Sequence, residues 1–381
     1  MDFHKLVGLS KCLILCGVFY IIYLCFKEDS LQWPVSLEGN FIRLKRSTEA
    51  AADTKYIGLA FTFCNGLANQ MQRHAALIGI GDQIGRTPFI DQRYRCSFHI
   101  LPELAAAMPN FYKGIRLLEP DKPKNWAVPF SLNICQYVNS SVLAGKYDSH
   151  KFLKLRTHLL QSYKYFHGIK PKIREVFRFA DEQTQFVDRF AKELMGDSKT
   201  HKLCVHIRRG DFVRHAFLLA SRQSFITPAL KFLTTNLTKQ HGKLGLIFIG
   251  ENSEFTRSIQ YDKNHVAEVF TPSGLSRTQD MLFGAKYCDS LLISASGSTY
   301  GWWMGYLMEE RKQGNVFYNY LATKDAKDCR DHFDFDTYPP EWKRLRLTKK
   351  GKEMEVVVEK RWHNEIKAQE GAEVYQKWLK L

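Results

Sequence analysis

Arg208 and Arg209 stand side by side at the end of the apolar run KLCVHI (202–207), and Gly210 and Asp211 follow them. A guanidinium stays protonated and carries a planar fork of donors, so it bonds phosphate or carboxylate oxygens two at a time. In an extended chain, alternate side chains share a face. Leu203, Val205 and Ile207 then face one side, and Cys204, His206 and Arg208 the other. Continued extension returns Arg209 and Asp211 to the Leu203 side. On this reading Arg208, beside His206, is the anion ligand, and Arg209 pairs with Asp211 or reaches a second phosphate oxygen. A structural ion pair is the competing explanation of the motif taken alone.

Two further stretches suit anions. In FCNGLANQMQRHAAL (63–77) an apolar run ends, Gly66 permits a tight turn, and a helix opens near Ala68 and Asn69. The free N–H groups of a helix start attract negative charge. The stretch has neither the G-K-[ST] of a P-loop nor the glycine spacing of a dinucleotide fingerprint, and an ordinary strand-to-helix turn reads the same way. In LLISASGSTYGWWMGYL (291–307) a run ends in a turn rich in hydroxyls, from Ser294 to Thr299, and another helix follows. Its serines offer hydroxyls to phosphate oxygens. Trp302 and Trp303 are assigned to the core rather than to ligand stacking.

The elements that must position these residues alternate. Strands are predicted at 56–63, 87–91, 202–207, 244–250, 266–270, 290–295 and 315–319, and helices at 68–80, 173–194, 227–237, 276–287 and 299–309, from apolar runs and helical spacing respectively. The stretch 173–194 reads as one long amphipathic helix on the spacing of Ile173, Val176, Phe177, Ala180, Val187, Phe190 and Leu194. Such alternation implies parallel sheets covered on both faces, with ligands at the carboxyl ends of the strands. All three anion-compatible turns fall at such ends. The fold class is therefore α/β, with an N-terminal half over 55–195 and a C-terminal half over 196–345. The charged chain from Lys343 is expected outside the core, with 346–381 as a basic tail.

The 381 residues hold 55 Lys and Arg against 39 Asp and Glu, a formal charge of +16. That balance suits nucleic acid, a membrane surface or a phosphorylated substrate. The N-terminus narrows the choice. Leu6 to Phe26 is interrupted only by Ser10 and Lys11 and, as a helix, would cross a bilayer. Lys5 and Lys11 place residues 1–5 in the cytoplasm and the rest in a lumen, with 27–54 as a stem. No small-residue cleavage site follows Phe26, which favours a signal anchor over a cleaved signal peptide. This topology keeps the bulk of the chain from DNA and RNA. Sequons at Asn139 and Asn236 are candidate glycosylation sites. Cys12, Cys16 and Cys25 fall in the anchor, whereas Cys64, Cys96, Cys135, Cys204, Cys288 and Cys329 would meet an oxidising lumen. Spacing selects no pairing among these six, and a free thiol is allowed at Cys204. No C-x-x-C or His/Cys cluster points to zinc.

With these residues in view, HIRRGD (206–211) resembles the H-x-R-R-x-D motif of the α1,2-, α1,6- and protein O-fucosyltransferase superfamily, and most resembles the family 11 α1,2-fucosyltransferases. GLANQM (66–71) is similar to their G-x-L-G-N-Q-M segment, with Ala68 for the usual glycine. CDSLLISASGSTYGWWMGYL (288–307) resembles their third block, and VFYNYL (316–321) and YPPEW (338–342) their closing segment. The likeness runs in order from about residue 56 to 345. The serine turn before Trp302 and the basic tail depart from the family pattern.

The resemblance implies a GT-B-like fold of two Rossmann-like layers with the donor site in the cleft. It also implies a Golgi-membrane enzyme that transfers L-fucose from GDP-fucose to a glycan, at the 2-OH of a galactose, with inversion and without a metal. Carried onto this sequence, Arg208 and Arg209 hold the diphosphate and form the catalytic set with Asp211. His206 contacts the nucleotide side, Gly66 and Asn69 approach the donor from the N-terminal half, Ser296 and Ser298 bond phosphate oxygens, and Asp280 takes the guanine. Asp211, His215 and Glu251 are the candidate bases, and the sequence does not choose among them. Asp334-Phe335-Asp336 has the form of a manganese-binding D-x-D but lies away from the strand-end pattern and is read as structural. The alternatives are protein O-fucosylation and a membrane-anchored sugar-binding lectin without turnover.

Overall fold

Short apolar runs buried on both faces form two parallel sheets. The computed structural model describes residues 53–60, 64–92, 94, 100–118, 127–132, 137–250, 253–324, 334–350 and 353–358. The expected membrane helix over 6–26 lies outside the described residues. The first sheet holds β1 (Tyr56–Leu59), β2 (Thr87–Asp91), β3 (Arg116–Leu118), β4 (Ala127–Pro129) and β5 (Phe152–Arg156). Its order is β3-β2-β1-β5-β4, and every neighbouring pair is parallel. The second holds β6 (Lys202–His206), β7 (Leu244–Ile249), β8 (Val266–Phe270), β9 (Ser290–Ile293), β10 (Val316–Asn319), β11 (Lys343–Lys350) and β12 (Glu353–Val358). Its order is β12-β11-β10-β9-β6-β7-β8, parallel throughout except for the closing β11–β12 hairpin. Counted from β6, the six parallel strands run 3-2-1-4-5-6. In that doubly wound order the winding reverses between the first and fourth strands, leaving a crevice outside their carboxyl ends.

Helices link the strands: α1 (Leu67–Ile84), α2 (Ile100–Ala107), α3 (Phe111–Gly114), α4 (Lys170–Val176), α5 (Asp181–Met195), α6 (Gly210–Arg214), α7 (Gln223–His241), α8 (Ser253–Arg257), α9 (Arg277–Tyr287), α10 (Thr299–Leu307) and α11 (Asp334–Thr337). Ser276 and Gln279 close a reciprocal capping box at the start of α9, and Ser298 caps α10, so side-chain oxygens satisfy N–H groups that a helix start leaves bare. α1 is buried along most of its length. At Gly79 an added Cβ would lie 2.0 Å from the Tyr165 carbonyl oxygen, so only glycine lets the helix approach that turn.

One apolar core runs through both sheets. Phe166 and Phe177, from the chain between the sheets, pack on α10: Phe177 lies 4.9 Å from Trp303 and Phe166 5.5 Å from Tyr306, centroid to centroid. Trp302 and Trp303 are 4% and 0% exposed and belong to this core. Fully burying such a side chain contributes about 1.5–3 kcal/mol, so the cluster fixes α10, and with it the turn that precedes it. On the surface, Arg277 of α9 forms a forked ion pair with Glu103 of α2.

Four expectations change. Strands β3, β4 and β5 are additions: RLL and AVP are too short for a period to register, and in FLKLR the charged Lys154 and Arg156 interrupt the apolar run although Leu153 and Leu155 are buried. The stretch 173–194 is two helices, not one. The chain leaves the helix at Phe177, whose ring enters the core, and the Ala180 N–H bonds the Ala107 carbonyl at 2.9 Å before α5 starts. The chain from Lys343 does not stay outside the core, since β11 pairs with β10 and Leu345 is 0% exposed. Alternation of Leu345 and Leu347 with Arg344 and Arg346 lets one face of that basic strand be buried. Finally, Cys204 is not a free thiol: it is disulfide-bonded to Cys288, with Cα atoms 5.6 Å apart.

The Cys204–Cys288 bond joins β6 to the residue pair preceding β9 across a sequence separation of 84. Cross-linking so long a loop restricts the unfolded chain, worth about 2–5 kcal/mol. The Cys204→Ala/Cys288→Ala double variant should therefore unfold at lower urea concentration by that margin, and an unchanged midpoint would contradict the assigned role.

Candidate active site

β6 and β9 are parallel neighbours with His206 opposite Ile293, so the chain from Ile207 to Arg209 leaves the sheet beside the turn from Ser294 to Ser298. Hydroxyls tie the two exits together. The Ser294 hydroxyl donates to the His206 carbonyl at 2.6 Å and lies 2.7 Å from the Ser221 hydroxyl. Having spent its proton on His206, Ser294 must accept from Ser221. Ser221 Oγ in turn accepts the Arg208 N–H at 2.8 Å, while its own N–H donates to the Arg208 carbonyl at 2.9 Å and its carbonyl accepts from Arg209 Nη1 at 2.9 Å. Ser221 and Ser294 are both 0% exposed. Thus one serine, carried by no recognisable motif, seats both arginines.

The roles of the arginines differ from the alternation reading. Arg208 Nη2, not Arg209, binds Asp211, at 2.5 Å. The reason is local: extended geometry stops at His206 and α6 opens at Gly210, so Asp211 comes round three residues after Arg208. Arg209 points the other way, with its guanidinium carbon 4.2 Å from the centre of the Phe255 ring. Arg208 also lies over a ring, 5.1 Å from the centre of Phe212, but its side chain is 32% exposed and its carboxylate partner 62% exposed. An exposed pair of this kind contributes roughly 0–1 kcal/mol, so another anion can replace Asp211 at little cost.

His206 is not at the surface of the site. It is 2% exposed, and an added Cβ on Gly301 would lie 2.6 Å from its Nδ1, so the first turn of α10 closes over the imidazole. Burial, and then the nearby Arg208 charge, push its pKa down to about 3, which keeps the ring neutral. Its part is to underlie the loop and offer a carbonyl to Ser294. Ser296 and Ser298 also serve the turn rather than facing out. The Ser296 hydroxyl donates to the Asn319 carbonyl at 2.6 Å, and Ser298 Oγ accepts the Gly301 N–H. Asn319, at the end of β10, donates from Nδ2 to the Ser294 carbonyl at 3.2 Å, and the Tyr338 hydroxyl donates to the Ser296 carbonyl at 3.0 Å. These bonds explain why VFYNYL and YPPEW accompany the serine turn. Asp280 sits in the first turn of α9, joined to the first turn of α10 by the Tyr300 hydroxyl on the Arg277 carbonyl.

Gly66 and Asn69 belong to the other sheet. Gly66 is the N-cap of α1, the first helix after β1, and a Cβ there would meet nothing within 4 Å. Asn69, in the first turn, accepts a hydrogen bond on Oδ1 from Gln161 Nε2 at 3.2 Å. Gln161 follows β5, the strand beside β1. Arg73, one turn further along α1, is 2% exposed and reaches toward the Cys64 carbonyl. Burial lowers its pKa to about 10, still far above neutrality, and its charge helps hold the His158 pKa below the usual histidine range after desolvation. Neither Gln161 nor Ser221 lies in a motif: sheet order brings Gln161 to Asn69, and the loop between α6 and α7 folds Ser221 back onto Arg208.

Among the candidate bases, Asp211 is paired with Arg208. His215 Nδ1 accepts from the N–H groups of Phe217 and Leu218 at 3.3 and 3.1 Å, which commits that nitrogen to the loop. Glu251 lies outside the described residues. Asp336 is structural: it is 2.9 Å from Lys164 Nζ and accepts the Tyr137 N–H at 3.1 Å. The sequon asparagines are both exposed; Asn139 accepts from the Ser141 N–H and Asn236 donates to the Phe232 carbonyl within α7. A cavity of about 1,370 Å³, lined by Lys170, Arg174, Phe177, Leu307 and Glu310 among others, opens at the far end of α10, toward the amino ends of the strands. Lys170 there lies 2.8 Å from Glu310 and 3.2 Å from Glu341, and Arg174 donates to the Tyr306 and Leu307 carbonyls.

Fold and site together define a doubly wound α/β protein whose Arg208–Asp211 pair stands at the switch point of its second sheet. The profile of Glycosyl transferase family 11 matches residues 61–346, and the chain belongs to that family. Relatives in Caenorhabditis elegans include a putative galactoside 2-alpha-L-fucosyltransferase, svh-11, 28% identical over 309 residues, covering 77% of this chain and 80% of that one. A galactoside 2-alpha-L-fucosyltransferase of the same organism is 27% identical over 316 residues, covering 76% and 73%. Among solved structures, POFUT1 in complex with GDP-fucose gives a TM-score of 0.42 at 10% identity, covering 68% of this chain and 95% of that one. The NodZ alpha-1,6-fucosyltransferase soaked with GDP-fucose gives 0.42 at 11%, covering 80% and 99%.

Replacing Ser221 by alanine strands the Arg208 N–H and one Ser294 lone pair in a dry environment. Losing a buried hydrogen-bond partner costs about 1–3 kcal/mol. Urea denaturation of Ser221→Ala should show a loss of that size, and a wild-type midpoint would mean that the hydroxyl does not latch the loop.

Proposed function

We propose that this chain is a GT-B-like fucosyltransferase that moves L-fucose from GDP-fucose to the 2-OH of a galactose-terminated glycan, with inversion and without a metal. The observation that carries the reading is the partly exposed Arg208 fork, seated at the switch point by Ser221 and occupied by an exposed carboxylate. A diphosphate carries more negative charge than one carboxylate and can also take the guanidinium fork bidentately, so the donor takes the place of Asp211. As the bond from the fucose C1 to the phosphate oxygen breaks, negative charge accumulates on the departing GDP. A positioned guanidinium stabilises that charge most where water is excluded and no reorganisation is needed. Arg209, bonded to the Ser221 carbonyl and stacked on Phe255, keeps its charge beside the leaving group. The sugar, left with oxocarbenium character, is attacked from its opposite face by the acceptor hydroxyl, and Asp211, released from Arg208, is available to take the proton.

The names of the worm relatives support the galactose linkage. A type II Golgi placement, with the body of the chain in the lumen, is supported by the apolar run from Leu6 to Phe26 and by the Cys204–Cys288 disulfide, since disulfides persist in oxidising compartments.

The full-length protein in detergent, given GDP-fucose and a terminal β-galactoside, should release GDP and form an α1,2-linked product at a rate indifferent to EDTA. Arg208→Ala should lose at least about 100-fold in turnover with the unfolding midpoint retained. Full turnover in that variant, or sugar binding with no GDP released by the wild type, would overturn the proposal.

A further inference from the structure

Asn69 and Gln161 are 92 residues apart, yet their side-chain amides meet because β1 and β5 are adjacent in the first sheet. Two facing amides must match an N–H to a carbonyl, so the orientation of one sets that of the other. Here Gln161 Nε2 donates to Asn69 Oδ1. One lone pair of Asn69 Oδ1 is then engaged and that oxygen is turned toward Gln161, while the Nδ2 donors make no hydrogen bond to any described residue. Gln161 itself stands on a fixed support. Leu160, 1% exposed, adopts a φ of 51°, and Ser162, 2% exposed, accepts the Lys164 N–H at 3.3 Å. The first turn of α1 carries no acidic residue, and the buried Arg73 charge lies one turn beyond. The positive end of a helix and a nearby guanidinium both favour an electronegative ligand atom.

We infer that Gln161 is a positioning residue that locks the Asn69 amide so that it meets the substrate as a hydrogen-bond donor, not as an acceptor. This rests on the transferase reading above and extends it, because it gives Asn69 a defined chemistry: its Nδ2 donates to a substrate oxygen, and Asn69 does not receive the acceptor's proton.

The test is steady-state kinetics of the full-length protein with GDP-fucose and a β-galactoside, for the wild type and for Gln161→Met, Gln161→Ala and Gln161→Glu, with an unfolding curve for each. Methionine keeps the bulk of Gln161 but cannot hold the amide, so Met and Ala variants should fall alike, by about 10-fold in kcat/KM. Glutamate offers only acceptors and turns Asn69 Oδ1 toward the substrate; it should fall further, by about 100-fold, as for loss of one preorganised donor. Added salt, which screens simple charge repulsion, should not relieve that deficit. A rise confined to the KM for GDP-fucose assigns the oxygen to the donor, and one confined to the KM for the galactoside assigns it to the acceptor. Full activity in Gln161→Met with loss only in Gln161→Ala would show that Gln161 merely fills space, and would overturn the inference while leaving the transferase reading intact. No fucose transfer by the wild type would overturn both. If Gln161→Glu fails to fold, the Met and Ala comparison decides alone.

Discussion

The parallel register of β6 against β9 is the constraint on which the rest of the site depends. It delivers two chain exits side by side, one carrying adjacent cations and the other a turn of small hydroxyl residues. Two guanidinium groups in sequence repel unless the fold separates their duties. The hydroxyl chain from Ser221 through Ser294 to the His206 carbonyl does so by fixing the backbone of Arg208. Arg209 is drawn inward to the Ser221 carbonyl and Phe255, and Arg208 is left facing solvent with an exchangeable partner. The cost of burying polar groups is met because each hydroxyl is satisfied in turn. Beneath this layer the Cys204–Cys288 bond pins β6 to the approach of β9.

The other half of the molecule supplies a different kind of order. The first sheet brings Gly66, Asn69 and Gln161 to the carboxyl ends of β1 and β5, and the aromatic cluster on α10 holds that sheet's following segment against the second. α10 therefore has three tasks: its first turn covers His206, its cap completes the serine turn, and its body anchors Phe166 and Phe177. Gly301 and the tryptophan pair are understandable as parts of this arrangement. A larger residue at 301 would strike the imidazole, and a smaller one at 303 would open the core.

Much of this was legible in the sequence. Alternating apolar runs and helical stretches point to the α/β class, and the ends of those runs put Arg208 and the serine turn at strand carboxyl ends, which the structure places side by side. The failures have physical causes. Side-chain alternation holds only while the strand lasts, and α6 begins too soon for Arg209 to share a face with Asp211. Helical spacing survives a break of a few residues, so 173–194 read as one helix although Phe177 leaves it for the core. Hydroxyls at a helix start suit phosphate, yet the same geometry suits capping, and Ser296 and Ser298 were taken by backbone groups first. Ser221 and Gln161 carry no local signal, because a loop folding back brings the one to Arg208 and sheet order brings the other to Asn69.

The central claim is that Arg208 at the β6–β9 switch point holds the donor's diphosphate in exchange for Asp211. A crystal structure of the protein with GDP tests it most directly. The account predicts the diphosphate within hydrogen-bonding distance of the Arg208 guanidinium, with the Asp211 carboxylate displaced from it. GDP bound elsewhere, such as in the cavity at the far end of α10, with the Arg208–Asp211 pair intact, would contradict it.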